Sequence, residues 1–344
     1  MTRRRAFALG AALCVAVLGA LWLRAEFRNP YRPGSGPKIV ELPRGTGLRA
    51  ISARLEEQGI IRTRYTFSLL TWLLGQARNL QAGEYLLSAA MPPAAILERM
   101  VRGEVVQHPL TIPEGYTTWE IAAAAERAGI ASAETIRALS RDREFLLALN
   151  VPGASAEGYL FPETYHFPKE TPAKKILGRM VSTFWKRFAP EMVRQAAKRD
   201  LSVHEVVTLA SIIEREAALP RERPQISAVY QNRLRRGMRL QADPTVLYAL
   251  NRTSGPLSRE DLEVDSPYNT YRVRGFPPGP IANPGLDSLL AALNPAPVDH
   301  LYFVARGDGS HEFSRTLAEH QKAVWKYRKR PGPSSNPPPP NPPP

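Results

Sequence analysis

The chain has 344 residues, a formal net charge of +14 and a pI near 10.1, so it is long enough for two or more packed domains. The positive charge favours anionic partners, namely lipid headgroups, nucleic acid or an acidic wall polymer. The single cysteine, Cys14, excludes an internal disulfide and any zinc site that needs two cysteines.

The N-terminus predicts one membrane-spanning helix. Residues 3–5 are arginines, residues 6–23 carry no charge, and Arg24 follows. Such a run is close to the lower length limit for a spanning helix. The arginines predict that residues 1–5 form a cytoplasmic stub and that everything after residue 23 is exported. A cleaved signal peptide, with small residues at Gly19 and Ala20, is the alternative.

Two further segments are defined by composition. Residues 24–37 are rich in proline and glycine and are predicted to be a linker. Residues 329–344 are dominated by proline, with serine and asparagine, and are predicted to be a disordered, extended tail without a core. The expected contact of residues 6–23 with a lipid bilayer also argues against nucleic acid as the partner of the positive charge.

An internal repeat follows the linker. Residues 40–60 align without a gap with residues 110–130, at an offset of 70 residues. Each copy predicts a short strand, a Pro-x-Gly turn and a helix that ends at a glycine. Residues 84–87 predict a further strand, and residues 94–103 a further helix.

The repeat resembles the LysM module, a small unit that binds glycans containing N-acetylglucosamine. On that resemblance, residues 38–107 form a LysM-like domain and residues 108–135 a second LysM-like repeat unit. Strand-turn-helix units are common and contain no glycan chemistry by themselves. Glycan binding and simple positioning of a neighbouring domain therefore both remain open.

The second half of the chain predicts an α+β fold that is rich in helices and has small sheets. Apolar periodicity and stop signals predict helices at residues 173–188, 191–199, 203–218 and 223–237. An apolar run at 301–304, a Gly-containing turn and a return at 311–314 predict a hairpin. Residues 314–327 predict a closing helix.

The helix at residues 203–218 has an apolar stripe that includes Leu209, Ala210 and Ile213. Helical geometry places Glu214 and Glu216 on opposite borders of that stripe. A carboxyl against apolar surface has its charged form disfavoured, so its pKa rises and it can donate a proton near neutral pH. The alternative is that both glutamates only flank a core helix.

Competing chemistries fail on the same sequence. His204 and Glu205 begin a zinc-protease motif, but Thr208 stands where the second histidine is required. No Gly-x-Ser-x-Gly elbow and no phosphate-binding glycine loop occurs. His311, Glu319 and His320 follow no known ligand spacing, so we expect neither a metal nor a cofactor. Glycan cleavage remains, because it needs one or two carboxylates and a cleft.

Many ordered blocks between about residues 38 and 327 resemble the MltG/YceG family of membrane-anchored endolytic peptidoglycan transglycosylases. They include ASIIEREA at 210–217, Asn-Arg-Leu at 232–234, Met-Arg-Leu-Gln at 238–241, Asp-Pro-Thr at 243–245, Tyr-Asn-Thr-Tyr at 268–271, Glu-Gly-Tyr-Leu-Phe-Pro-Glu-Thr-Tyr at 157–165, Gly-Phe-Pro-Pro-Gly-Pro-Ile at 275–281 and Tyr-Phe-Val at 302–304.

The resemblance implies cleavage of the β-1,4 bond between N-acetylmuramic acid and N-acetylglucosamine within nascent strands. The products would end in 1,6-anhydro-muramic acid, and strand elongation would stop. Residues 108–328 would be a lytic-transglycosylase-like catalytic domain outside the bacterial inner membrane. The implied partners are peptidoglycan strands and the penicillin-binding proteins that synthesise them.

The same resemblance favours Glu216 as the general acid and base. Goose-type and soluble lytic transglycosylases have Glu-Ser at the end of a comparable apolar helix, which aligns their glutamate with Glu216 and their serine with Ala217. Glu214 is the second choice, or a supporting residue that holds an arginine such as Arg233.

Substrate contacts are expected from three further segments. Gln241 and Asp243 begin a proline-marked loop that also contains Thr245. Aromatic faces and amide groups suit N-acetyl sugars. We therefore expect the cleft to be lined by Gln241, Asp243, Thr245, Tyr268, Asn269 and Tyr271, with Tyr159, Phe161 and Glu163 on the opposite wall. For the aromatic residues, core packing is the alternative.

Two other functions stay open on the sequence. One is a silent wall-binding scaffold that recruits synthases through the LysM-like units. The other is a hydrolase of the same bond, for which Asp243 is the first candidate second carboxylate.

Overall fold

The computed structural model describes residues 3–328, so the predicted tail at 329–344 lies outside the described residues. The chain divides into two compact units. Unit 1 comprises the chain up to Pro109 together with His166–Thr171, and unit 2 comprises Leu110–Tyr165 together with the chain from Pro172. Both units mix helices with two-stranded sheets, so the helix-rich architecture with small sheets is confirmed.

The N-terminal helix α1 (Arg3–Arg28) is longer than the sequence predicted. Within the described part of the chain, Phe7–Arg28 is the one helix that is long and apolar enough to cross a membrane, with a mean hydropathy of 2.0. A membrane anchor and a signal sequence both fit that finding. Residues 24–28 were assigned to a linker, which is wrong, because Phe27 packs into the core of unit 1 and the first helix breaker is Pro30.

Unit 1 is built around one antiparallel strand pair. Strand β1 (Lys38–Leu42) pairs with β2 (Gly83–Leu87) so that Val40 lies opposite Tyr85, and both side chains are fully buried. The helices cover this pair, and the predicted strand at 84–87 and helix at 94–103 are confirmed. The elements that follow α1 are β1 (Lys38–Leu42), α2 (Leu48–Glu57), α3 (Arg64–Leu73), β2 (Gly83–Leu87) and α4 (Pro93–Arg102).

The internal repeat is confirmed in the backbone. Strand β3 (His108–Thr111) is followed by α5 (Thr118–Arg127), whose bounds lie 70 residues after those of α2. The turn glycines match as well, with φ of 79° at Gly45 and 78° at Gly115. Left-handed backbone favours glycine, so the same residue marks the same turn twice.

Within the described residues, unit 2 continues with nine more α-helices at or after residue 133, with the strand that pairs with β3, and with a further two-stranded sheet. Most predicted elements are confirmed within a few residues. The elements are α6 (Ala133–Leu139), α7 (Arg143–Ala148), β4 (Thr164–Phe167), α8 (Ala173–Arg187), α9 (Pro190–Ala197), α10 (Val203–Glu216), α11 (Arg223–Arg235), α12 (Asp243–Ala249), α13 (Leu286–Leu293), β5 (Tyr302–Ala305), β6 (His311–Ser314) and α14 (Leu317–Arg328).

Helix α10 is the centre of unit 2. All eight residues from Val206 to Ile213 are buried, and the helix packs against α9, α11, α12 and α13. Its first turn is fixed by a capping box, in which Ser202 and Glu205 satisfy each other's backbone N–H groups. The helix ends at Glu216, because Ala217 adopts an extended backbone with φ −79° and ψ 104°. The predicted end at residue 218 is therefore two residues too late.

Candidate active site

A pocket of about 370 Å³ lies at the C-terminal end of α10 in unit 2. Helices α10, α11, α12 and α14 and the β5–β6 hairpin all contribute to its wall. The lining residues are Glu216, Tyr230, Arg233, Leu240, Gln241, Asp243, Tyr271, Phe303, Val304, Ala305, His311, His320 and Val324. This pocket mixes apolar surface with a small set of converging polar groups, as ligand sites usually do.

Glu216 is the last residue of α10, and its carboxyl is shielded by the pocket wall. The Tyr230 hydroxyl donates a hydrogen bond to Glu216 Oε1 at 2.9 Å. Burial raises the pKa of Glu216 to about 7, with the negative charge of Asp243 acting in the same direction and Tyr230 and Arg233 opposing the rise. A carboxyl with this pKa is protonated in a large fraction of molecules at neutral pH.

Arg233 stabilises the pocket wall by donating hydrogen bonds to backbone carbonyls. Its Nε donates to Leu301 O at 2.7 Å and its Nη1 donates to Leu240 O at 2.6 Å. Its guanidinium also lies over the Tyr302 ring, 5.2 Å from the centroid. Arg233 thereby ties α11 to the start of β5 and to the loop before α12, and it lies near enough to Glu216 to favour its charged form.

Glu214 has a different environment, although it lies only two residues away. Its Oε1 accepts a hydrogen bond from Arg223 Nη2 at 3.1 Å, and its Oε2 accepts one from Gly285 N at 2.9 Å. The side chains of Glu214 and Arg223 are 6% and 10% exposed. Glu214 therefore holds an arginine, as expected, but that arginine is Arg223 and not Arg233, since α11 begins with Arg223 and that residue reaches Glu214 first.

Three of the predicted substrate contacts share the pocket with Glu216. Gln241 and Asp243 are exposed on its wall, and Tyr271 donates a hydrogen bond from its hydroxyl to Asp243 Oδ1. Gln241 has a left-handed backbone, with φ of 52°, which its N–H stabilises by donating to Thr270 O at 3.1 Å. Asp243 begins α12 and is not in a loop, because Pro244 is compatible with the first turn of a helix.

Thr245 and Asn269 lie behind the pocket and are completely buried. Thr245 Oγ1 donates to Ala242 O at 2.7 Å. The Asn269 side-chain amide donates to Leu262 O and Val264 O, both at 2.9 Å. Neither side chain has surface available for a sugar, so their predicted substrate contact is corrected to a supporting role.

The predicted opposite wall is also corrected. Tyr159 is fully buried against Phe184, with its hydroxyl 3.0 Å from His204 Nδ1. Phe161 is buried with it, and exposed Glu163 lies 3.6 Å from Arg187. Tyr268 packs against Tyr248, with the ring centroids 4.9 Å apart. The side chains of Tyr159, Phe161, Glu163 and Tyr268 do not line the Glu216 pocket.

The opposite wall comes instead from the β5–β6 hairpin and α14. Phe303 and His311 meet there, with ring centroids 5.2 Å apart, and His311 Nδ1 lies 2.7 Å from Glu222 Oε2. Sequence reasoning missed these residues and Tyr230. Tyr230 could have been found, because it lies three positions before Arg233 and therefore on the same face of α11. Within residues 3–328, no group of three or more metal-type side chains is placed to hold an ion.

Comparisons with known proteins agree with the earlier resemblance. Residues 40–326 match the YceG-like family. An endolytic murein transglycosylase of Bacillus subtilis is 36% identical over 329 residues, which cover 90% of each chain. One of Streptococcus pneumoniae is 31% identical over 320 residues, covering 84% of this chain and 58% of that protein. A crystal structure of a YceG-like protein from Listeria monocytogenes superimposes with a TM-score of 0.59 at 38% identity, covering 84% of this chain and 100% of the other.

Proposed function

Because this chain belongs to the YceG-like family, we propose that it is an endolytic murein transglycosylase that cleaves peptidoglycan glycan strands. The bond would be the β-1,4 linkage between N-acetylmuramic acid and N-acetylglucosamine. The observation on which the proposal rests is Glu216, a carboxyl with a pKa near 7 on the wall of an open pocket. That pKa suits a group that must both give and take a proton.

In the first step, protonated Glu216 donates its proton to the bridging oxygen as the bond to C1 of the muramyl residue breaks. Positive charge develops on that sugar ring in an oxocarbenium-like transition state. Asp243, exposed on the same wall, supplies negative charge that stabilises it. Gln241 offers an amide for the N-acetyl group, and Tyr230 keeps the Glu216 carboxyl in position.

In the second step, the Glu216 carboxylate accepts the proton of the muramyl 6-hydroxyl while that oxygen attacks C1. The product is a 1,6-anhydro ring, and Glu216 is protonated again for the next cycle. An attacking group tethered to the same sugar has a large effective concentration, so no water has to be captured. One carboxyl can therefore perform both proton transfers.

A hydrolase of the same bond is the second candidate, because Asp243 shares the pocket with Glu216. Hydrolysis with two carboxylates uses the second one to activate water or to form a covalent intermediate. The two reactions differ in their products, since hydrolysis leaves a reducing end that has taken up water.

Mass spectrometry of products from purified peptidoglycan strands tests this proposal. We expect internal fragments that end in 1,6-anhydro-muramic acid, and their loss in a Glu216→Gln variant. Glu214→Gln is the matched control from the same helix, and it should retain the same products. Hydrated reducing ends would make the chain a hydrolase, and full activity of Glu216→Gln would remove the catalytic assignment. Bound but uncut strands would favour the scaffold.

We further propose that α1 is an uncleaved single-pass anchor in the bacterial inner membrane, with a cytoplasmic N-terminus. Its apolar run and the preceding arginines support this orientation. The strand-helix-helix-strand order in unit 1 supports a LysM-like role in glycan binding or positioning. An enzyme anchored in this way reaches strands while they are made, so penicillin-binding proteins are the expected partners and chain termination the expected outcome.

A further inference from the structure

Helix α3 in unit 1 has two apolar faces. Its inner face includes Phe67, which is 2% exposed and packs against Phe27 of α1 with ring centroids 6.4 Å apart. Its outer face has four apolar side chains at positions i, i+4, i+7 and i+8, which follow the helical period. These four residues, Tyr65, Leu69, Trp72 and Leu73, are 78%, 43%, 66% and 59% exposed, and we call them the outer stripe of α3.

The outer stripe lies in a segment without charge. Residues 65–77 contain no lysine, arginine, aspartate or glutamate, whereas Arg62, Arg64 and Arg78 flank the segment. A helix of a soluble domain normally presents charged residues to water opposite its buried face. A contiguous exposed apolar surface with aromatic residues and flanking arginines is typical of a surface that contacts a membrane.

The contact of α3 with α1 indicates which membrane the outer stripe would touch. Near its C-terminal end, helix α1 packs against the rest of unit 1. Phe27 is buried there, and Glu26 Oε1 lies 3.3 Å from Arg62 Nε. Residues 7–22 of α1 are exposed and make up most of the candidate span, Phe7–Arg28. Helix α3 therefore packs against α1 at the end of the segment that would leave the bilayer.

We propose that the outer stripe of α3 is a second membrane contact, which lies in the interfacial layer of the same bilayer that α1 crosses. Tryptophan and tyrosine favour that layer because the ring is apolar and one edge is polar. Exposed Arg78, at the end of the uncharged segment, fits the phosphates of anionic lipids, whereas Arg62 and Arg64 pair with Glu26 and Glu56. This inference rests on the proposed anchor, and its consequence is that unit 1 has a fixed orientation to the membrane surface.

The full-length chain offers a direct test, because its only cysteine can be replaced by Cys14→Ser. Into that background we would introduce Leu73→Cys, attach an environment-sensitive fluorophore, and reconstitute the protein in vesicles of phosphatidylethanolamine and phosphatidylglycerol. Ile39→Cys is the matched control, since Ile39 is 57% exposed on β1 of the same unit, against 59% for Leu73. Spin-labelled lipids, with the label near the headgroup end of the acyl chain, serve as quenchers.

We expect blue-shifted emission at position 73 and several-fold stronger lipid quenching there than at position 39. Equal quenching at both positions would overturn the inference. Blue-shifted emission without lipid quenching would also overturn it, and would identify a protein surface as the occupant. If that emission depended on the protein-to-lipid ratio, the occupant would be a second copy of the chain.

A third labelled position separates this inference from the proposal on which it rests. Leu13→Cys lies inside the candidate span of α1, where a spanning helix must contact lipid, so its quencher is a lipid with the spin label near the far end of the acyl chain. Quenching at 13 without quenching at 73 would overturn the second contact and leave the anchor intact. Absence of quenching at both positions would overturn both proposals about the membrane. Production of anhydro-muramyl ends by the same labelled proteins reports the enzymatic proposal independently.

Discussion

The pocket around Glu216 and the polar core around Glu157 contain two carboxyls with the same pKa and different surroundings. Burial raises the pKa of each to about 7. Glu157 is 2% exposed. It accepts hydrogen bonds from Thr118 N–H at 3.0 Å, Asn283 Nδ2 at 2.9 Å and the Tyr248 hydroxyl at 3.4 Å. Glu216 accepts the Tyr230 hydroxyl and lies on a pocket of about 370 Å³.

A raised pKa therefore does not by itself identify a catalytic carboxyl. Both pKa values rise because water is excluded, but only Glu216 lies on a pocket large enough for a sugar. Glu157 instead organises the fold, because its partner Asn283 also accepts the Leu160 N–H at 2.8 Å and donates to Tyr116 O at 2.8 Å. Access distinguishes a group that can act on a substrate from one that holds segments together.

The rate of strand cleavage should distinguish the two carboxyls most clearly when each is replaced by an amide. Glu216→Gln should lower the rate of strand cleavage by about 10²- to 10⁴-fold, the usual contribution of a general acid and base. Glu157→Gln should keep the rate within a few fold, because an amide can still accept from Thr118 and Asn283. Initial rates at pH 6.5 on the same strands check both. A loss of similar size in the Glu157 variant would put the catalytic group in the polar core.

The two carboxyls should also differ in how much each contributes to the stability of the fold. Glu157→Ala leaves the Thr118 N–H, the Asn283 amide and the Tyr248 hydroxyl without their acceptor, which should cost about 2–4 kcal/mol. Thermal unfolding of the detergent-solubilised full chain should show Tm lower by roughly 5–10 °C. Glu216→Ala should change Tm far less, since water in the pocket can replace its one hydrogen bond. Equal losses would mean that Glu216 is a structural group as well.

Sequence periodicity accounts for much of the fold. Helix α10 was predictable because its apolar stripe and its Ser202–Glu205 capping box both indicate the same helix. Helix α12 was missed because Pro244 was taken to mark a loop, although proline is favoured in a first helical turn. The end of α1 was missed because composition cannot show that Phe27 finds a core to pack into.

The site was predictable where a motif or a residue type suited to sugars indicated it. Glu216, Gln241, Asp243 and Tyr271 were expected in one cleft, and the structure brings them into one pocket. Phe303 and His311 stand in a hairpin with no such signal, and their position on the pocket wall depends on tertiary packing that local sequence does not encode. The same limit explains why the partner of Glu214 was expected to be Arg233 when it is Arg223.

The raised pKa of each glutamate also makes the stability of the fold depend on pH. Glu216 titrates near its ordinary 4.5 when unfolded and near 7 when folded, so the folded state binds more protons between those values. Stability is then lost as pH rises through that window. Glu216→Gln removes this loss and should be more stable than the wild type by up to about 3 kcal/mol at pH 8, with little difference at pH 4.5.

Unfolding of wild type and variant across pH 4.5–8.5 measures this difference. Glu157→Gln should show a gain in the same direction, since burial raises the pKa of Glu157 as well. The two variants would then agree in their pH-dependent stability and disagree in activity. A pH-dependent gain in the Glu157 variant alone would mean that the Glu216 carboxyl is hydrated and titrates near its ordinary value.

The smallest expected change in activity comes from removing the tyrosine hydroxyl that donates to each carboxyl. The Tyr230 hydroxyl lowers the pKa of Glu216 by donating to it, so Tyr230→Phe should raise that pKa further. The first step needs protonated Glu216, and kcat/KM should therefore fall with rising pH at a midpoint that moves upward, by about one pH unit or less. Tyr248→Phe removes the corresponding donor to Glu157 and should leave the midpoint unchanged. A midpoint that followed Tyr248 and not Tyr230 would identify Glu157 as the titrating acid. A kcat/KM that rises with pH through the Tyr230-dependent midpoint would mean that the activity requires ionised Glu216 in its first step.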